Sequence, residues 1–228
     1  MKTKPASVCA YCGATLGIFP ASPETRDHIP PLGIFPAPRP SDLITVPSCA
    51  SCNHGASDSD EVFRAYLSLH VGFDTPSTRS LWEQKALPGI RRKRQLRDHI
   101  VRNSEPVWIT TPAGVIQGLA YRIHWDSAAH DKTIERLIRG LYFHHYQEVL
   151  GQRVHVKAQW FSGLTQELLD AFSECEHRSV GNGQFTYRFG RAVDGPLHSI
   201  WLFEFHGHHW AGGETAPVFS PTHDTGVG

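Results

Sequence analysis

Four of the five cysteines in this 228-residue chain fall into two Cys-x-x-Cys pairs, Cys9/Cys12 and Cys49/Cys52. A single turn presents both thiolates of such a pair to one metal ion, so two pairs supply a tetrahedral four-sulfur shell. The spacing predicts that residues 9–52 close on themselves around a zinc ion. Gly13, directly after the second cysteine, suits the positive φ that a tight metal turn needs. Four thiolates leave no open position for a substrate, so this zinc is expected to be structural. The fifth cysteine, Cys175, reads as a small buried hydrophobe.

The loop between the pairs is long for a zinc ribbon and carries polar residues that packing does not explain. Asp27-His28 precedes Ile29-Pro30-Pro31, whose prolines block helix. Asp42 precedes the β-type run Leu43-Ile44-Thr45-Val46, and Asn53-His54 follows Cys52 at once. Asp58, Asp60 and Glu61 then open an apolar-periodic segment with Val62, Phe63, Tyr66 and Leu67, predicted to be helical. Extended segment, β-run, cysteine turn and helix make a ββα unit too small to be stable without its metal.

These residues resemble the HNH (ββα-metal) endonuclease family. The resemblance rests on Asp27-His28-Ile29-Pro30, on Asp42-Leu43-Ile44-Thr45-Val46 and on Cys49-Ala50-Ser51-Cys52-Asn53, and covers residues 8–67, under a third of the chain. It implies that His28 is the general base and that Asp27 and Asn53 hold one Mg²⁺ or Mn²⁺ ion. Asp42 then stands where the family has an asparagine that steadies the histidine. A carboxylate there departs from the pattern and leaves the role of Asp42 open, as His54 leaves open which residue after Cys52 meets the cation.

The chemistry agrees on its own terms. Phosphodiester hydrolysis needs a deprotonated water, which a neutral imidazole near pH 7 can generate. It also needs a hard cation on oxygen ligands to neutralise the phosphoryl and leaving oxygens. The expected function is hydrolysis of DNA, one strand per unit, so double-strand cleavage takes a homodimer or two successive events. The alternatives are the same chemistry on RNA, and a non-catalytic zinc-knuckle adaptor for nucleic acid or protein.

The 22 basic and 22 acidic residues cancel, so any nucleic-acid contact must come from a local patch. Arg91-Arg92-Lys93-Arg94-Gln95-Leu96-Arg97 is the one strongly basic run. It reads either as a solvated helix face or as a phosphate-tracking surface made by Arg91, Arg92, Lys93, Arg94 and Arg97. No run approaches the roughly 18 apolar residues of a membrane helix, and no apolar leader precedes Cys9. The expectation is a cytoplasmic protein with no membrane partner.

Downstream, helices are predicted over 80–90, 131–150 (stopped by Gly151) and 165–172, with strands at 185–189 and 199–205. A hairpin is predicted from Val107–Thr110 and Val115-Ile116 around Thr111-Pro112-Ala113-Gly114. The fold class is therefore α+β. A zinc-stapled ββα unit (1–72) precedes a helical section and α+β domain with antiparallel strands (73–212), and a disordered tail (213–228) follows. His145 lies on the apolar face of the long helix and is expected in the core, as are the alternating Trp201, Phe203 and Phe205. His206-x-His208-His209 lacks a neighbouring acid or cysteine and is a weak metal candidate.

Overall fold

The computed structural model describes residues 7–17, 23–69, 75–124 and 126–218. Strand β1 (Glu24–Ile29) pairs antiparallel with β2 (Ile44–Cys49), placing Asp27 opposite Val46 and His28 opposite Thr45. Between them the two prolines allow only a short 3₁₀ turn, Leu32–Ile34. β2 runs directly into α1 (Ala50–His54) and then α2 (Ser57–Ser68). Asp58 and Asp60 sit in the first turn of α2, where carboxylates oppose the positive end of the helix dipole. Its inner face buries Phe63, Ala65, Tyr66 and Leu67.

Helix α3 (Pro76–Leu81) starts from a capping box in which Thr75 and Thr78 satisfy each other's backbone N–H groups. A π-helical turn, Trp82–Ala86, leads into α4 (Leu87–Arg92), and α5 (Arg94–Arg102) follows. The basic run is thus divided by Lys93, whose backbone is extended. β3 (Ser104–Thr110) and β4 (Ile116–Ile123) form the predicted hairpin as a separate two-stranded ribbon.

The long helix α6 spans Ser127–Tyr146, earlier than its apolar period suggested. Asp126 caps it by accepting from the Ala129 N–H. It stops at Gln147, not at Gly151: Gln147 takes the left-handed conformation, and its side-chain amide donates to the carbonyls of Phe143 and His144.

β5 (Val154–Phe161), α7 (Gln166–Ala171), β6 (Glu176–Val180), β7 (Phe185–Arg191), β8 (Ser199–Phe205) and β9 (His209–Pro217) complete the chain. The five strands form one antiparallel sheet in the order β5-β9-β8-β7-β6. Residues 213–217, expected in the tail, therefore belong to an interior strand, while 219–228 lie outside the described residues. The Gly-rich composition that suggests disorder has a packing cause here. A Cβ at Gly212 would stand 2.2 Å from the Trp201 carbonyl oxygen.

Helix α6 packs against α2, β1 and β2 as well as against β5 and β9. One continuous core joins Ile29, Phe35, Val46 and Phe63 to Ile138, Tyr142, Trp201 and Phe205. The N-terminal unit consequently shares its interior with the rest of the chain. The contact is tight at Gly140 of α6, where a Cβ would lie 2.1 Å from Ile29 Cδ1. No helix among the described residues is long and apolar enough to cross a membrane.

Candidate metal centre and adjoining polar site

The first cysteine turn is closed by backbone bonds from Gly13 N–H to the Cys9 carbonyl (2.9 Å) and from Cys9 N–H to the Ala14 carbonyl (2.9 Å). Gly13 has φ +74°, the conformation that its position in the sequence anticipated. Ala10 N–H donates to the Pro47 carbonyl at 2.9 Å, fastening this turn to β2. Cys49 is the last residue of β2 and caps α1, and Cys52 lies one turn further on. All four sulfurs fall within 4.8 Å of one another, with Cys12 and Cys49 at 3.9 Å. A tetrahedral zinc–thiolate shell with bonds of about 2.3 Å has sulfur–sulfur edges of about 3.8 Å, so the four thiols can hold a metal ion such as zinc.

The surroundings favour thiolate at two of the four. Burial alone would raise the Cys9 thiol, but backbone groups of Cys49, Cys12 and Tyr11 bring it below its ordinary value. The Ser51 hydroxyl and the Cys52 backbone pull Cys49 down to about 6. Cys175 is only partly buried, and its thiol is pushed up by desolvation, in keeping with an unreactive side chain.

Next to the thiols lies a polar network that the sequence did not reveal. Asp27 Oδ2 accepts from Arg136 at 2.6 Å and also from the Tyr11 hydroxyl. The second terminal nitrogen of Arg136 donates to the Cys52 carbonyl at 2.5 Å, and its guanidinium lies 4.0 Å from the centre of the Tyr11 ring. Burial, and then the Asp27 charge, push the Tyr11 hydroxyl well above its ordinary value. Burial also raises Asp60 to about 6, partly offset by Arg136. The Thr133 hydroxyl donates to Asp60 at 3.4 Å. Thr133 and Arg136 lie three residues apart on α6 and so share one face. That spacing is the one trace of the network in the sequence.

Asp27 and His28 both line a small cavity with Tyr11, Ile29, Thr133 and Arg136. Among the described residues, the His28 imidazole makes no hydrogen bond, and Asp27 Oδ1 accepts none. Asn53 donates to Thr25 Oγ1 at 3.0 Å and to the Arg26 carbonyl at 3.4 Å, tying α1 to β1 one peptide from Asp27. Among the described residues, its amide oxygen accepts no hydrogen bond. His54 is exposed at the end of α1.

Asp42 stands apart from this group. Its carboxylate accepts the Gly181 N–H at 3.1 and 3.0 Å, joining the start of β2 to the β6–β7 turn, and no bond reaches His28. In the basic run, Arg91, Arg92, Lys93, Arg94 and Arg97 are all exposed. Lys93 pairs with Glu61 at 2.8 Å, and Arg94 and Arg97 both lie near Asp98.

The C-terminal histidines are structural. His206 accepts from or donates to Ser77 at 2.8 Å and bonds the Ile34 carbonyl at 3.1 Å, while His208 bonds the Leu67 carbonyl at 3.1 Å. His145 stacks on Phe189 and bonds the Tyr187 hydroxyl at 3.0 Å. No protein-family model, curated protein or solved structure matches this chain.

Proposed function

We propose that this chain is a metal-dependent endonuclease of the HNH kind, hydrolysing DNA phosphodiester bonds with His28 as general base. The observation that carries this reading is the unbonded, part-exposed His28 imidazole beside Asp27, in a unit closed by four thiols. A ring nitrogen with no other partner is free to take a proton from water. Asp27 Oδ1 and the Asn53 amide oxygen are hard donors of the class that Mg²⁺ or Mn²⁺ takes, although neighbouring Arg136 lowers the negative charge offered to a cation. A cation held there would neutralise phosphoryl charge and help the alkoxide leave. The remaining work falls to the chain itself. Arg136 holds Asp27 in one position, Asn53 fixes α1 on β1, and exposed Arg91, Arg92, Arg94 and Arg97 offer phosphate contacts.

A second reading has its own support. Asp27 is engaged by Arg136 and Asp42 by Gly181, so both acids have structural roles, as in a zinc-knuckle adaptor without catalysis. Supercoiled plasmid incubated with Mg²⁺ or Mn²⁺ separates the two. The nuclease reading expects nicking by the wild type and its loss in His28→Ala and Asn53→Ala. Identical behaviour of wild type and His28→Ala leaves the adaptor.

A further inference from the structure

The β3–β4 ribbon presents an aromatic face to solvent. Its register pairs Pro106 with Tyr121 and Trp108 with Leu119, and directly paired residues share one face of a ribbon. Trp108 is 66% exposed, Tyr121 63% and Leu119 51%. Large aromatics at such exposure, side by side, are not explained by the core.

The ribbon is firmly rooted. His124 N–H donates to the Asn103 carbonyl at 2.6 Å across its base. The Tyr66 hydroxyl of α2 bonds the His124 carbonyl (3.4 Å) and accepts from Asp126 N–H (3.2 Å). The face is therefore held at the N-terminal end of α6. Arg136 lies ten residues along that helix from its cap Asp126, about 15 Å at 1.5 Å per residue.

Charge identifies the occupant. Residues 91–124 contain seven arginines and lysines against two acids, a surplus of five in a chain whose total is zero. The two acids are already engaged, Asp98 by Arg94 at 3.4 Å and Glu105 by Arg122 at 2.9 Å. Exposed aromatic rings and a basic run in adjoining segments of a chain are features with which proteins bind nucleic acid, bases stacking on the rings while arginines follow the phosphates. A duplex keeps its base faces stacked inside, so such a platform takes unpaired bases.

We propose that the β3–β4 ribbon is a single-strand nucleic-acid platform, with bases stacked on Trp108 and Tyr121 and the backbone tracked by the basic run of α4 and α5. The direction of the strand toward His28 rests on the nuclease reading, whereas binding to the platform does not.

The test is fluorescence anisotropy of the full chain, without divalent metal, on labelled oligothymidine, oligouridine and a DNA duplex of matched length. Oligothymidine is expected to bind more tightly than duplex. Trp108→Ala should weaken single-strand binding about tenfold and Trp108→Phe should restore most of it, given the usual worth of one stacked base. Equal binding of both single strands assigns the platform to bases in general, and preference for one of them names its target. Unchanged affinity in Trp108→Ala, or loss of tryptophan-dependent self-association in sedimentation in place of loss of binding, would overturn the proposal. Circular dichroism of each variant controls for folding. Plasmid nicking by Trp108→Ala keeps the two ideas separate: nicking with no single-strand binding in the wild type sinks only the platform, and binding without nicking sinks only the nuclease.

Discussion

Arg136 donates to Asp27 at 2.6 Å and to the carbonyl of Cys52 at 2.5 Å, so one α6 side chain holds the candidate acid and the second cysteine turn together. The pair is largely shielded, with side chains 15% and 16% exposed. Integrity of the four-thiol centre, the position of Asp27 and the docking of α6 are thereby linked.

Removing one member of such a pair leaves an uncompensated buried charge. Arg136→Met is expected to cost about 3–5 kcal/mol, and adding Asp27→Asn should recover a large part of it. Urea denaturation of the two single variants and the double variant measures this. The same variants test the cation: Mn²⁺ should raise the melting temperature of Arg136→Met more than that of the wild type. A Mn²⁺ shift no larger in Arg136→Met than in Arg136→Met/Asp27→Asn would mean that Asp27 is not a cation ligand.

Metal analysis should find one zinc per chain. Cys49→Ser, or a strong chelator, should remove it and lower the melting temperature of the whole chain, because the N-terminal unit shares the core. Full stability after chelation, or less than one tightly bound zinc, would remove the four-thiol staple.

Stability should fall on acidification from pH 7 to 4. His206 is held neutral in the folded chain, lowered by burial to about 4, whereas the unfolded chain takes up that proton near its ordinary 6.5. Its contribution is complete above pH 6.5 and is lost as pH drops toward 4, and half-buried His145, also lowered to about 4, adds to it. Asp60 works the other way. Raised to about 6, it stabilises the fold at low pH and loses that contribution between its ordinary 3.8 and 6. Melting temperatures across this range should decline less in His206→Asn, which tolerates the left-handed backbone at 206, and more in Asp60→Asn.

Gly140→Ala should destabilise by about 1–3 kcal/mol, because its Cβ would stand 2.1 Å from Ile29 Cδ1 in a filled core. Ile29→Val should relieve part of that cost. Equal destabilisation in the double variant and the sum of the singles would show that α6 and β1 do not press on each other there.

Local patterns were readable because their causes are local. The cysteine pairs, Gly13, the hairpin turn and the 199–205 strand depend on neighbours along the chain, and each stands where its spacing put it. The N-terminal order of two strands and a helix was legible for the same reason. Gln147 and β9 were not: one ends a helix with its own side chain, and the other is drawn into a sheet by partners far away in sequence.

The division is sharpest at Asp27 and Asp42. The sequence by its spacing alone placed four cysteines able to hold a metal ion around an Asp-His pair, since ligand spacing and proline placement are written in consecutive residues. What each acid touches was set by packing between segments far apart in the chain. Arg136 lies more than a hundred positions from Asp27, and Gly181 further still from Asp42. A carboxylate is stabilised by whichever donors the packed core brings within hydrogen-bonding distance, and that choice is made by the docking of α6 and the sheet, not by the motif in which the acid sits.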